Sequence, residues 1–193
     1  MENVGDAIVP SIYEATYIDA LLASCSPLLE TAANILSIGS GCGFTEQRIH
    51  QLFPDKFVVT TDPFIESCRI CDEKGLLSIG CKAELLPFKD SYFDLVLMDG
   101  VLGHLLALFA LDKAAHEVMR VLKHNGIAVI ADDIPKWESI NKNPRVPYIR
   151  VNDEYFFNFW KKIAQCDIRV SHFNYAKGTE GIISRRIGIV YFS

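Results

Sequence analysis

The sequence lacks the segments that direct a chain into or across a membrane. Its opening residues, MENVGDAIVPSIYE, contain neither the basic stretch nor the apolar core of a secretory signal peptide. Further along, no apolar run approaches the roughly 18 residues that a membrane-spanning helix requires. We therefore expect a cytoplasmic protein that has no membrane partner.

A surplus of basic residues is also absent. The 19 Lys and Arg residues are outnumbered by 24 Asp and Glu residues, and the net charge is −5 at pH 7. Nonspecific binding to nucleic acid requires a basic surface, so we expect no nucleic-acid partner. Residues 136–162 are locally basic, with six Lys or Arg residues against three acidic ones. Such a stretch is typical of a solvated face, and the alternative is a patch that attracts an acidic substrate.

The six cysteines lack the arrangement of a zinc site. Cys68 and Cys71 are spaced C-x-x-C and Cys81 follows ten residues later, but no fourth ligand stands at the spacing of a zinc motif. Without a secretory signal, we expect free thiols rather than disulfides. We interpret these cysteines as buried helix residues.

The chain contains no repeat, low-complexity tract or linker, so we interpret residues 1–193 as one domain with residues 1–32 as an N-terminal helical cap. Short apolar segments that predict buried strands alternate with segments that predict helices. This alternation predicts an α/β fold with a mostly parallel sheet and helices on both faces. The last two predicted strands, DIRVSHFNYAKG and RRIGIVYFS, have no helix between them and should form an antiparallel hairpin.

Proline positions and hydrophobic spacing set the predicted limits of the helices. The helix over residues 11–25 should end before Pro27, and a later helix should begin at Pro63. From Leu105 to Leu122, apolar residues recur along one side and predict one uninterrupted helix.

The segment ILSIGSGCGFTEQRI places Gly39, Gly41 and Gly43 between a predicted strand and a predicted helix. Glycine permits a sharp turn there and lets backbone N–H groups approach a ligand closely. The spacing has no glycine at the sixth position of the dinucleotide fingerprint, which makes a nicotinamide cofactor the weaker alternative.

Carboxylates stand at the ends of three predicted strands. Asp62 ends the second, Asp99 the fourth and Asp132 the fifth. The carboxyl ends of parallel strands share one edge of the sheet, where ligands bind in folds of this kind. There Asp62 can accept two hydrogen bonds from ribose hydroxyls, a feature that suits NAD and S-adenosylmethionine equally, or it can cap the following helix.

The segment CKAELLPFKDSYFDLVLMDGVLGHL, followed by EVMRVLKHNGIAVIADD, resembles the class I S-adenosylmethionine-dependent methyltransferases. The resemblance extends from about Ile35 to Asp133. It implies a Rossmann-like sheet of seven strands that ends in the antiparallel hairpin, and it implies S-adenosyl-L-methionine as the cofactor.

The resemblance also implies which residues contact this cofactor. The glycine loop would surround the methionine part, Asp62 would hold the ribose, the Ala83 backbone N–H would meet the adenine edge with Leu85 alongside, and Asp99 would lie beside the sulfonium. The cofactor-binding residues implied in this way are Gly39, Ser40, Gly41, Gly43, Asp62, Pro63, Lys82, Ala83, Asp99 and Gly100.

Two residues depart from the family pattern. Ser37 and Lys82 stand where the family usually has acidic residues. An ammonium group offers no acceptor to the adenine amino group. These departures favour the alternative that the protein binds the cofactor without catalysis and acts as a regulator or partner subunit.

Methyl transfer to a hydroxyl or amine is an in-line displacement, for which the protein supplies alignment and a proton acceptor. His104, Asp99 and Asp132 are the candidate catalytic residues. VLMDG together with VIADDI also looks like the magnesium site of the catechol O-methyltransferase family, with Asp99, Asp132 and Asp133 as ligands. The motifs AELLPF and RVLKHNG favour the metal-independent branch, so we expect no metal and keep magnesium as the alternative.

The segments that select the methyl acceptor are short in this chain. The first helix carries Tyr13 and Tyr17, and the loop after the fifth strand carries Trp137 and Tyr148. We expect a small or medium acceptor, aromatic or acidic, in an open site. The alternative is that a second copy of the chain or another partner completes the lid.

Overall fold

The computed structural model describes residues 12–134, 147–176 and 182–193. In these ranges the helices are α1 Ile12–Thr31, α2 Phe44–Leu52, α3 Ile65–Glu73, α4 Leu102–Ala107, α5 Leu111–Val121 and α6 Asp153–Ile163. The strands are β1 Asn34–Ile38, β2 Phe57–Asp62, β3 Leu77–Gly80, β4 Phe93–Asp99, β5 Leu122–Asp133, β6 Cys166–Ala176 and β7 Ile182–Phe192.

The seven strands form one sheet in the order β3-β2-β1-β4-β5-β7-β6. Strands β1 to β5 are parallel, whereas β7 runs antiparallel to both β5 and β6. The chain order reverses between β1 and β4, so a crevice opens where the loops after these two strands diverge. The predicted Rossmann-like α/β fold with its C-terminal antiparallel hairpin is confirmed.

Helices cover both faces of the sheet because the central strands are apolar on both sides. Along β4, Val96 and Met98 pack in the core with α4, α5 and α6, and Leu95 and Leu97 pack in the core with α1 and α2. This alternation follows from the two-residue repeat of a strand. The centre of the sheet, directly below the loops that carry the candidate site, is thereby packed on both faces. No helix in the described ranges is both long enough and apolar enough to cross a membrane.

The first helix does not end before Pro27, and that prediction is wrong. Helix α1 continues through Pro27 to Thr31, although a proline inside a helix removes one backbone hydrogen bond. Beyond the proline, Leu29 and Ala32 are buried in the core against the sheet. The burial of these side chains outweighs the local penalty.

The predicted single helix from Leu105 to Leu122 is two helices, α4 and α5. The backbone of Phe109 has φ +57°, and this side chain is 97% exposed. The Ala110 N–H donates to the Leu105 carbonyl and the Phe109 N–H to the Leu106 carbonyl, the two hydrogen bonds of a Schellman motif. This break is difficult to predict from the sequence, because the left-handed position of the Schellman motif is occupied by Phe109 and not by the usual glycine.

The six cysteines lie in the described residues and none forms a disulfide. Cys25, Cys68 and Cys71 are buried. The prediction of buried helix thiols is confirmed for Cys68 and Cys71 on α3, but it is wrong for Cys81, which follows β3 and is only partly buried.

Candidate functional site

The glycine loop lies at the carboxyl end of β1 and is held against the end of β2. The N–H groups of Gly39 and Ser40 donate to the Thr61 carbonyl at 2.7 and 3.1 Å. All three loop glycines have positive φ, between +53° and +70°. A Cβ on Gly39 would lie 2.5 Å from Val101, and one on Gly43 would lie 2.8 Å from the Cys71 sulfur. The loop conformation therefore requires glycine.

Gly41 differs from the other two loop glycines because a Cβ there would meet no atom within 4 Å. Its N–H donates to Asp62 Oδ2 at 3.0 Å, which orients the peptide toward the end of β2. The opposite side of this residue is open space. A ligand can therefore lie directly against the main chain at Gly41.

Asp62 is only 5% exposed and joins the glycine loop to the segment that leads into α3. Besides accepting from Gly41, its other oxygen accepts from the Phe64 N–H at 2.9 Å. Helix α3 begins at Ile65, so Pro63 precedes the helix instead of starting it. A carboxylate has about four acceptor positions, which leaves capacity for hydroxyl donors on both oxygens. The ribose contact of Asp62 stays a prediction.

Lys82 and Ala83 follow β3 on the same side of the molecule. The Cys81 N–H donates to the Asp62 carbonyl at 3.1 Å, which ties this segment to the end of β2. Ala83 is buried, whereas Lys82 is exposed and Leu85 is 77% exposed. The segment thus offers an uncovered apolar surface beside the end of β2.

A cavity of about 180 Å³ opens between the glycine loop and the end of β4. Some of the residues that line this cavity are predicted from the sequence, and others are not. The lining residues are Tyr17, Ile18, Gly39, Ser40, Phe44, Thr45, Glu46, Asp99, Gly100 and Arg185.

Asp99 lies in this cavity within a network of donors. Its Oδ1 accepts from the Tyr17 hydroxyl at 2.8 Å and pairs with the Arg185 guanidinium, and its Oδ2 accepts from the Thr45 hydroxyl at 3.3 Å. The Arg185 guanidinium also lies over the Tyr17 ring, 4.1 Å from its centre. Burial and the charge of Asp99 raise the pKa of Tyr17, which keeps the phenol protonated. Helix α1 is thereby attached to the site through Tyr17.

Asp132 is buried at the end of β5 and holds the segment that follows the undescribed residues 135–146. Its Oδ2 accepts from the Gly103 N–H at 3.0 Å, and its Oδ1 accepts from the Asp133 N–H and the Tyr148 hydroxyl. Both oxygens are therefore engaged by groups of the protein. Burial of this carboxyl group raises the pKa of Asp132 to about 7.

His104, on α4, contacts the same segment. Its Nδ1 lies 2.7 Å from the Pro147 carbonyl oxygen, and its ring packs against Tyr148 edge to face. Because a carbonyl can only accept, Nδ1 carries the proton and Nε2 of the neutral ring is an acceptor. His104 is not among the residues that line the 180 Å³ cavity. Its catalytic role stays a prediction.

The magnesium alternative fits this arrangement poorly. Asp133 pairs with Arg150 at 3.5 Å and with Arg185 at 3.4 Å, and Arg185 also pairs with Asp99. Guanidinium groups thus occupy two of the three carboxylates that would bind the cation, and the third, Asp132, accepts hydrogen bonds from Gly103 and Tyr148. Among the described residues, no group of three His, Cys, Asp or Glu side chains is placed to hold a metal ion.

Among the cavity residues that sequence reasoning missed, Glu46 and Arg185 are the charged ones, and Ile18, Phe44 and Thr45 are the others. Glu46 reads as a polar residue of an amphipathic helix, and Arg185 lies in the last strand, far along the chain from Asp99. Trp137 and the basic residues Lys136, Lys142 and Arg145 lie outside the described residues, as does the side chain of Tyr13.

Comparisons with known proteins agree on the class of domain. The family model of the methyltransferase domain matches residues 36–130. The chain is similar to an S-adenosylmethionine-dependent methyltransferase from Archaeoglobus fulgidus, with a TM-score of 0.75, 15% identity, and coverage of 91% of this chain and 93% of that one. It is also similar to an S-adenosylmethionine-dependent methyltransferase from Methanosarcina mazei, with a TM-score of 0.70, 16% identity, and coverage of 82% of this chain and 92% of that one.

The fold is also similar to that of the 4+2 cyclase SpnF, with a TM-score of 0.69, 14% identity, and coverage of 99% of this chain and 85% of that one. No curated protein matches the sequence. Residues 36–130 thus match the methyltransferase domain, and the chain has the fold of the S-adenosylmethionine-dependent methyltransferases. The resemblance identified in the sequence is confirmed.

Proposed function

We propose that the protein transfers the methyl group of S-adenosylmethionine to an oxygen or nitrogen atom of a small or medium acceptor. The observation that carries this proposal is the glycine loop, in which Gly41 leaves bare main chain next to the buried carboxylate of Asp62. A ligand with an adenosine at one end and an amino acid at the other suits this combination.

The residues present fit the cofactor. Asp62 would hold the ribose hydroxyls, and Gly39, Ser40, Gly41 and Gly43 would surround the methionine part. Pro63, Lys82, Ala83 and Leu85 would border the adenine, and Asp99 and Gly100 would lie beside the sulfonium. When bound, the cofactor supplies a methyl group activated by the positive sulfur.

The chain's own contribution is alignment, exclusion of water and acceptance of a proton. Tyr17 and Ile18 of α1 are buried over the cavity, where they limit access of water. His104 would accept the proton of the methyl acceptor at Nε2, since its Nδ1 is fixed by Pro147. Asp99 and Asp132 act in this proposal by holding Tyr17 and Tyr148 in place.

The remaining parts of the proposal concern the setting of the reaction. We propose that the protein works in the cytoplasm on a small-molecule substrate, without a nucleic-acid or membrane partner. A second copy of the chain or another protein would complete the lid over the site.

Transfer of label from S-adenosylmethionine tests the proposed activity. The purified protein is incubated with candidate acceptors and cofactor carrying a heavy methyl group, and the products are analysed by mass spectrometry. We expect label on a small hydroxyl or amine compound. Label only on protein or RNA would contradict the proposed substrate class, and absence of turnover would favour the second candidate.

The second candidate is a protein that binds the cofactor without catalysis and regulates a partner. Lys82 is the observation that favours it, because this exposed ammonium stands where a carboxylate acceptor for adenine is usual. Binding of S-adenosylmethionine and S-adenosylhomocysteine without turnover of any acceptor would support this candidate.

Gly41 and Gly75 provide a matched pair of positions that tests the predicted contact between the ligand and the main chain at Gly41. Both have positive φ, and a Cβ on either would meet no atom within 4 Å. Alanine at either position should lower the free energy of unfolding by about 1 kcal/mol. We expect G41A alone to weaken S-adenosylhomocysteine binding, by about tenfold in calorimetry, because Gly75 lies beyond α3. Equal affinities of the two variants would contradict the predicted contact.

A further inference from the structure

Glu46 is a buried carboxylate that faces the candidate cofactor cavity. It lies in the first turn of α2, is 2% exposed, and lines the cavity with Gly39 and Ser40. Its Oε1 accepts a hydrogen bond from the Ser37 hydroxyl on β1. The carboxylate is thus fixed at the base of the glycine loop.

The described part of the chain gives Glu46 no cationic partner within ion-pair distance. Three titratable groups face it: Asp99 on β4, the Cys71 thiol on α3, and Lys74 just after α3. Asp99 repels its charge. The Lys74 ammonium attracts it, but donates to the Cys42 carbonyl at 2.6 Å and lies 3.7 Å from the centre of the Phe44 ring.

A buried carboxylate without a partner is unfavourable in its charged form. Burial raises the pKa of Glu46 to about 7, so half of the molecules would carry the proton near neutral pH. A cation that enters the cavity would relieve this penalty. The site therefore favours a ligand with a positive group at the glycine loop.

The serine at position 37 on β1 leaves room for the carboxylate of Glu46, which α2 places beside it. In the sequence, Ser37 stands where the resembling family usually has an acidic residue at the end of β1. In the structure, the Ser37 hydroxyl donates to Glu46, so a carboxylate occupies the space next to this position from a different element. A second carboxylate at position 37 would place two like charges in contact.

We propose that Glu46 binds the α-ammonium group of the cofactor's methionine part and supplies the negative charge that Ser37 lacks. The ammonium has three N–H donors for the carboxylate, whereas the sulfonium has none. This inference rests on the proposed use of S-adenosylmethionine and assigns one further binding residue to that site.

Two ligands separate this contact from the rest of the cofactor site. S-adenosylhomocysteine has the α-ammonium group, whereas 5′-methylthioadenosine has the same nucleoside and sulfur but no amino acid. The E46Q variant keeps the shape of the side chain and its hydrogen bond to Ser37. E66Q, at an exposed position on α3, makes the same change in net charge and serves as the control.

We expect E46Q to weaken binding of S-adenosylhomocysteine by roughly ten- to a hundredfold in calorimetry, as for the loss of one charge-assisted contact. Binding of 5′-methylthioadenosine should change by less than about twofold, and E66Q should bind both ligands as the unchanged chain does. Equal losses for both ligands, or no loss for either, would overturn the role of Glu46. Failure of the unchanged chain to bind either ligand would instead overturn the proposed function.

The pH dependence of the unchanged chain provides a second measurement that does not depend on a variant. Only ionised Glu46 binds the ammonium, so the affinity for S-adenosylhomocysteine should rise by about tenfold from pH 5.5 to pH 7.5. Binding near pH 6 should release a proton, seen as a binding enthalpy that varies with the buffer. The affinity for 5′-methylthioadenosine should stay level. A level profile for both ligands would overturn the inference.

Discussion

Replacing Asp62 with alanine should weaken binding of S-adenosylhomocysteine by at least about a hundredfold. The change removes the carboxylate that would accept from two ribose hydroxyls, each worth about 1.5–3 kcal/mol as a hydrogen bond to a charged group. It also releases the N–H groups of Gly41 and Phe64, which now donate to Asp62 at 3.0 and 2.9 Å. The glycine loop and the entry to α3 would lose their common anchor. Calorimetric titration measures this loss directly.

Asp94 provides the matched control for this variant. One of its oxygens accepts from the N–H groups of Ala33 and Asn34 at the start of β1, at the opposite edge of the sheet. Alanine at position 94 should therefore lower stability in a comparable way without changing the affinity for the ligand. If D62A and D94A bound S-adenosylhomocysteine equally well, Asp62 would be a backbone anchor only.

The second large effect is on stability, which should decrease as the pH rises from 5 to 8. Glu46 and Asp132 are buried, and burial raises the pKa of each to about 7. Between its ordinary pKa near 4 and this raised value, each group binds more protons in the folded state than in the unfolded state. The free energy of unfolding then falls with pH, by on the order of 3 kcal/mol for each group, and levels off above pH 7.

Urea denaturation of the unchanged chain, E46Q and D132N at several pH values tests this linkage. Each variant should show a flatter dependence on pH than the unchanged chain. D132N should also be less stable at pH 5, because the amide nitrogen cannot accept a hydrogen bond, whereas the two carboxyl oxygens accept from the Gly103 and Asp133 N–H groups. A decrease of the same size in all three proteins would mean that other groups are responsible.

The sequence was sufficient for the sheet and for its ligand-binding edge because those features follow local patterns. Strands β1 to β4 are short segments, and Asp62 and the glycines of the loop stand directly at strand ends. Pro27 misled the prediction of α1 because the burial of Leu29, a tertiary effect, keeps the helix intact. Phe109 misled the prediction of α4 and α5 because it adopts the left-handed conformation without being glycine.

The chemistry inside the cavity was less predictable because it depends on contacts between distant elements. Arg185 of β7 meets Asp99 of β4 only after β7 pairs with β5. Glu46 gains its role from Ser37, nine positions earlier on another element. The sequence showed that Ser37 departs from the family pattern, but it did not show that the Glu46 carboxylate lies beside Ser37 in the fold.

A crystal structure of the protein grown with S-adenosylhomocysteine tests the central claim most directly. We predict that the ribose hydroxyls lie on the Asp62 carboxylate and that the amino acid lies along Gly41 with its ammonium on Glu46. The account of the whole site would be contradicted if the ligand lay elsewhere in the molecule, or if the loop bound a compound that contains no adenosine.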